Sequence, residues 1–180
     1  MRFIADLHIH SYLSRATSKK CDLAHLHAWA QRKGITLVGT GDFTHPEWLQ
    51  RLDEELVPAE PGLFKLRDDL ARAVDQEVPA ACQAPVRFML QVEISNIYKW
   101  GDKVRKVHNL VYMPDRESAR RFGARLSEVG NVGSDGRPIL GLDSRDLLEM
   151  TLETTREAFF IPAHIWTPWF SVLGSKSGFA

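Results

Sequence analysis

Residues 3–11 read Phe-Ile-Ala-Asp-Leu-His-Ile-His-Ser, and this stretch decides how the rest of the chain is read. Phe3, Ile4, Ala5, Leu7 and Ile9 make an apolar run too short for a helix and of the right length for a buried strand. Asp6, His8 and His10 fall at alternate positions within it. A strand turns alternate side chains to one face, so the spacing predicts that all three project together.

Outward from this strand, Asp22 is placed to cap a helix in which Leu23, Leu26 and Ala30 recur at helical spacing, and Gly34 closes it. Residues 35–41 then read as a second buried strand. Strand, helix and strand within about 40 residues predict a parallel α/β arrangement, because parallel strands need a crossover. Thr44 and Glu47 have capping-box spacing and open a helix to about residue 56. Residues 57–85 hold four prolines around a charged helical piece and read as an irregular excursion. Residues 86–95 and 106–113 read as strands. Asp115 caps a helix with Ala119, Phe122, Leu126 and Val129 inward and Gly130 at its end. Residues 131–138, rich in Gly and Asp, read as a turn or hairpin, Asp143 opens a further helix, and residues 158–163 read as a fifth strand.

The 180 residues, 44% hydrophobic and 26% charged, suit a soluble globular chain with one sizeable core. Basic and acidic residues balance at 23 each, so nucleic-acid binding would have to come from local patches. Lys99, Lys103, Arg105 and Lys106 make one such stretch. Arg116, Arg120, Arg121 and Arg125 make another, equally readable as a solvated helix face. The two cysteines, Cys21 and Cys82, form neither a disulfide framework nor a zinc motif, which suits a reducing compartment. The N-terminal residues lack a secretory pattern, and no stretch has the roughly 18 apolar residues of a membrane span. A cytoplasmic protein without membrane partners is expected.

In an α/β barrel, reactive groups gather where strands end and loops begin. His8 and His10 fall at the end of the first predicted strand, Asp42 just past the second, Glu93 near the end of the third, His108 within the fourth and His164 at the end of the fifth. Imidazole nitrogen with carboxylate oxygen suits zinc, manganese or iron, and carboxylates can bridge two ions. Singly, each residue has a structural alternative, such as a buried hydrogen bond. Together they point to a metal site, because burying so many polar groups without a ligand is costly. His25 and His27 sit inside a helix and read as surface or packing residues.

DLHIHS at residues 6–11 resembles the opening motif of the PHP superfamily of metal-dependent phosphoesterases. Three longer segments, DLHIHSYLSRATS (6–18), GTGDFTHPEWL (39–49) and HIWTPWFSVLGSKSGF (164–179), resemble the endonuclease Q family within it. The resemblance covers essentially the whole chain. It implies a distorted (β/α)7 barrel of PHP type, with about five of its strands in residues 1–180 as the N-terminal portion of the catalytic domain, and closing strands beyond residue 180. It also implies two or three divalent ions (zinc, manganese, iron or magnesium) and cleavage of DNA 5′ of deaminated bases such as uracil and hypoxanthine, or of abasic sites. The chain departs from the PHP pattern at Ser14-Arg15-Ala16 and at Asp42-Phe43, with His45 displaced by two residues.

On this reading His8, His10 and Glu93 hold one ion, and Glu93 bridges to a second held by His108 and His164. Asp6 and His45 are expected to orient ligands from behind. Asp42 is assigned with Arg15 and Lys176 to the catalytic group, the two cations as phosphate clamps. Lys176 lies in a glycine-serine run readable as an anion nest or as a flexible loop. Trp166, Trp169 and Phe170 suit stacking on an unpaired base, with Lys99 and Lys103 as further DNA contacts, although a hydrophobic lid fits the same rings. A small-molecule phosphatase acting on a substrate like histidinol phosphate, or a non-catalytic PHP module, would carry much of the same ligand set.

Overall fold

A computed structural model describes residues 2–179 as a mixed α/β unit built on one curled, open sheet. In chain order the elements are β1 (Ala5–Asp6), α1 (Leu23–Lys33), β2 (Leu37–Gly39), α2 (Pro46–Glu55), β3 (Leu56–Pro58), β4 (Phe64–Leu66), α3 (Asp68–Asp75), β5 (Arg87–Trp100), β6 (Lys103–Met113), α4 (Arg116–Val129), β7 (Ile139–Leu140), α5 (Ser144–Thr154) and β8 (Phe159–Pro162). Among the described residues no helix is long and apolar enough to cross a membrane.

The 14-residue strand β5 is the spine. Its first residues pair with β2 in parallel and with β4 antiparallel, and from Leu90 onward it pairs with β6 antiparallel. Strand β7 lies parallel to β5 at Ser95 and Asn96, β8 pairs with β6, and β1 pairs with β2. Among the described residues the five expected strands all form, as β1, β2, β5, β6 and β8, with β1, β2 and β5 parallel and β6 and β8 joined antiparallel, and three short strands are added. The extra strands come from residues 57–85, where β3 and β4 form a hairpin around Pro61 and Gly62, and from a two-residue bridge at 139–140.

Alternation along β5 separates two faces. Phe88, Leu90, Val92 and Ile94 join Val38, Val111 and Met113 against α1, α2, α4 and α5, with Leu23, Trp48, Leu52, Phe122, Leu126 and Leu147 filling the main core. Met89, Gln91 and Glu93 point to the concave face. There Leu7, Met89, Leu110, Tyr112 and Ala163 form a small apolar floor. The polar residues of the site stand above it.

Three helix starts match the sequence reading. The carboxylates of Asp22, Asp115 and Asp143 accept hydrogen bonds from the backbone N–H groups of His25, Ser118 and Arg145, and Gly34 closes α1 in the left-handed region. The Thr44–Glu47 capping box does not form. Pro46 occupies the first turn and moves the cap to His45, while Glu47 accepts from the Tyr12 hydroxyl. Val129 is exposed rather than inward, and Gly130 is extended. The arginines of α4 are used by the fold: Arg116 and Arg120 pair with Asp53, Arg121 donates to the Thr154 carbonyl, and Arg125 pairs with Glu153.

Candidate metal centre

Glu93 is the hub. It is 1% exposed, and four imidazoles and one guanidinium converge on its two oxygens. Oε1 lies 3.1 Å from His8 Nε2, 3.0 Å from His108 Nδ1 and 3.3 Å from His164 Nε2. Oε2 lies 3.1 Å from His10 Nε2 and accepts from Arg137 Nη1 at 3.3 Å. The pairing register explains part of this. Glu93 faces Leu110 and Ser95 faces His108 across the β5–β6 ladder, so Glu93 and His108 are diagonal neighbours on one face.

His8 and His10 arrive differently from the expected alternation. Strand β1 ends at Asp6, and the irregular segment after it sends Leu7 to the concave floor and Ile9 to the main core. Both histidines still reach Glu93, and the β2–α2 loop passes directly behind His10. Gly41, at φ 67°, allows that approach: a Cβ there would stand 3.0 Å from the His10 backbone. The next residue, Asp42, is fully buried at φ 49° and ties the two loops together. Its Oδ2 accepts from Ser11 N at 2.7 Å, Ser11 Oγ at 2.6 Å and Ser14 Oγ at 3.0 Å, and its Oδ1 lies 3.0 Å from His10 Nδ1.

Charge follows this geometry. Burial raises the Glu93 carboxyl, but hydrogen bonds from His10, His108 and His8 outweigh it and hold the group far below the ordinary carboxylate range. For His10 burial works against the imidazolium, yet hydrogen bonds to Asp42 and Glu93 dominate and lift its pKa to about 9. At His164 burial outweighs the attraction of Glu93, and the neighbouring His108 and His8 add to the lowering.

The donor atoms of His8, His10 and Glu93 all lie within 4.8 Å of one another, as do those of Glu93, His108 and His164. Imidazole nitrogens sharing a carboxylate, with a carboxylate behind one ring, are the donor chemistry of a divalent transition ion. The residues present therefore fit metal binding. The five residues expected as ligands are the five that meet here.

Other expected residues take different places. Asp42 is fully buried, with its oxygens turned to Ser11, Ser14 and His10. Asp6 is exposed on β1 and lies outside both donor groups. His45 Nε2 donates to the Gly133 carbonyl at 3.0 Å and so braces the 131–138 loop, not a ligand. Arg15 is exposed and pairs with buried Asp135 at 3.3 Å. Lys176 is exposed, but the run around it is no anion nest. The N–H groups of Gly174, Lys176 and Gly178 donate to carbonyls of Ser171, Pro168 and Gly174.

Trp166 and Trp169 are 79% and 53% exposed just after His164. Phe170 instead packs on His108, ring centroids 4.7 Å apart. Lys99 and Lys103 are exposed at the tip of the β5–β6 hairpin, and Lys99 lies six residues, or about 20 Å, along β5 from Glu93. In α1, His25 caps locally against Asp22, and His27 is buried on Phe88. Sequence reasoning missed Arg137, Asp135, Ser11 and Ser14. A single arginine in a glycine-rich turn carries no local signature of a site.

No protein-family model matches the chain. It is 26% identical over 164 residues to an uncharacterized protein of Methanocaldococcus jannaschii, covering 91% of this chain and 16% of that one. Its fold is similar to the lesion-specific endonuclease Q of Pyrococcus furiosus at a TM-score of 0.74 and 31% identity, covering 94% of this chain and 36% of that one. A structure of endonuclease Q with a 27-mer duplex bearing an abasic lesion at the active site matches at 0.74 and 32%, with the same coverage. The chain thus has an endonuclease Q-like fold and spans about a third of the length of the solved proteins it matches, and about a sixth of the curated relative.

Proposed function

We propose that this chain carries the metal centre of a DNA endonuclease of the endonuclease Q type, hydrolysing the phosphodiester 5′ of a deaminated base or an abasic site. The observation that carries the reading is Glu93 with four histidines around it and Trp166 and Trp169 exposed beside His164, on a chain similar to a lesion-specific endonuclease. His8, His10 and Glu93 would hold one divalent ion, and Glu93, His108 and His164 a second. Such ions, when bound, supply an activated water and neutralise charge on the phosphoryl oxygens.

The remaining chemistry belongs to the protein. Asp42 Oδ1 accepts a hydrogen bond from His10 Nδ1, so that a metal displacing the Nε2 proton now shared with Glu93 would meet the Nε2 lone pair with the tautomer already fixed. Phe170 covers one face of His108 and limits water there. Trp166 and Trp169 offer exposed ring faces on which an unpaired base stacks, a contact worth about 1–3 kcal/mol per base.

Duplexes carrying a single uracil, hypoxanthine or abasic site, incubated with the protein and Mn²⁺, Zn²⁺ or Mg²⁺, test the reading. Metal-dependent nicking on the 5′ side of the lesion, with undamaged duplex left intact, is the expected result. Release of phosphate from histidinol phosphate with DNA untouched would replace the reading with a small-molecule phosphatase. Activity on neither substrate class would leave an interaction module.

A further inference from the structure

Arg137 is a cation in the site that no ligand role explains. Its guanidinium donates to Glu93 Oε2 at 3.3 Å, yet the side chain remains 33% exposed at the mouth of the centre. One contact to Glu93 leaves most of its five N–H donors for something else. The loop that carries it is held with unusual care. Asp135, buried, accepts from the backbone N–H groups of both Arg137 and Arg15 at 3.1 and 3.4 Å, and pairs with the Arg15 side chain. Gly136 N donates to the Leu13 carbonyl at 3.2 Å, and His45 grips Gly133. At Gly136 a side chain is excluded altogether: a Cβ would overlap the Asp42 carboxylate and stand 2.6 Å from Ser14 Oγ. One carboxylate and one glycine thus fix the 133–137 loop against the loop of residues 11–17, with Arg137 over Glu93.

Building a buried carboxylate and two loop clamps to present an exposed guanidinium makes sense for an anion that must sit beside Glu93. We propose that Arg137 binds a non-bridging oxygen of the substrate phosphate, and that Asp135 is the positioning residue that aims it. The planar fork of arginine suits phosphate bidentately, and its permanent charge adds to whatever the metal ligands hold. Arg15, on the same carboxylate but further out, makes the rim of this anion site. The inference rests on the phosphoester reading above and assigns the substrate-holding role to a residue outside both ligand groups.

The test uses zinc-loaded protein and inorganic phosphate as the probe, with affinity read by calorimetry and metal content by elemental analysis. Arg137→Ala is expected to keep its zinc and to weaken phosphate binding roughly ten- to hundredfold, the range for a hydrogen bond to a charged group. Arg137→Lys should retain part of the affinity, Asp135→Asn should lose part, and added guanidinium ion should restore binding to Arg137→Ala. Arg72→Ala, exposed on α3 away from the site, serves as the control. Wild-type phosphate affinity in Arg137→Ala overturns the inference, as does loss of zinc from that variant, which would make Arg137 a structural partner of Glu93. Absence of phosphate binding by the wild type overturns it too. If phosphate binds through Arg137 while lesion DNA is never nicked, the endonuclease reading fails and this one stands. If Arg137→Ala nicks lesion DNA as well as wild type does, the reverse holds.

Discussion

Replacing Asp42 by Asn separates the two things this buried carboxylate does to His10. Asp42 Oδ2 receives three hydrogen bonds, one of them from the Ser11 backbone N–H, which cannot reverse its polarity. An Asn side chain must therefore turn its carbonyl oxygen to Ser11, or leave two donors facing each other at a cost of about 1–3 kcal/mol. Its NH2 group then faces His10 Nδ1, which has to become the acceptor. The proton moves to Nε2, the atom 3.1 Å from Glu93, and the ring presents an N–H where a metal needs a lone pair.

A second effect opposes the first. In the metal-free protein His10 holds its extra proton up to a pKa of about 9. A metal binding at pH 7 competes with that proton across two units (9 minus 7), or about a hundredfold. Loss of the Asp42 charge lowers the pKa and relieves the competition. Wild-type zinc affinity, measured in chelator-buffered solution, should therefore climb from pH 7 and level off near pH 9. That of Asp42→Asn should level off nearer neutrality, at a plateau about 10–100-fold lower. At pH 7 the two curves approach each other. A variant plateau equal to or above the wild-type one would show that Asp42 does not set the His10 tautomer.

Trp166→Ala and Trp169→Ala should each weaken binding of an abasic or uracil duplex by about 1–3 kcal/mol without changing metal content, as fluorescence anisotropy would report; unchanged affinity in both would reduce the rings to a surface role. His27 tests the buried opposite face: burial lowers its pKa below 6.5, so as pH falls through that value the unfolded chain takes up a proton that the native chain refuses, and stability drops. His27→Phe, which keeps a ring on Phe88, should flatten denaturation midpoints between pH 6.5 and 5, by at most about 1.4 kcal/mol per pH unit; an unchanged slope would assign the acid sensitivity elsewhere.

What was legible in the sequence was whatever a short window can encode. Asp22 with Gly34, Asp115 and Asp143 mark helix ends because a cap is a contact between near neighbours. Glu93 and the four histidines around it are legible because each has a ligating side chain near a strand end. The hairpin of β3 and β4 was missed because Pro58, Pro61 and Gly62 look like irregular chain, while the pairing that organises them lies in β5. Strand β5 overruns its expected end by five residues, since the turn at Gly101 lies beyond a polar stretch that resembles a loop. Phe170 and Trp169 are adjacent in sequence and opposite in role, and only packing on His108 separates them. Arg137 reaches Glu93 across 44 residues, a relation no local pattern holds.

Metal stoichiometry in wild type and Glu93→Gln is the most direct measurement on the centre itself. Glu93 belongs to both donor groups, so its loss should strip both at once, whereas replacing a ligand of one group would leave the other. Elemental analysis after loading and desalting should give about two equivalents of zinc or manganese for the wild type and a fraction of one for Glu93→Gln, with metal-dependent thermal stabilisation lost in parallel. Equal metal content in the two proteins, or less than about one equivalent in the wild type with no fall in melting temperature on chelation, would contradict a metal centre organised by Glu93.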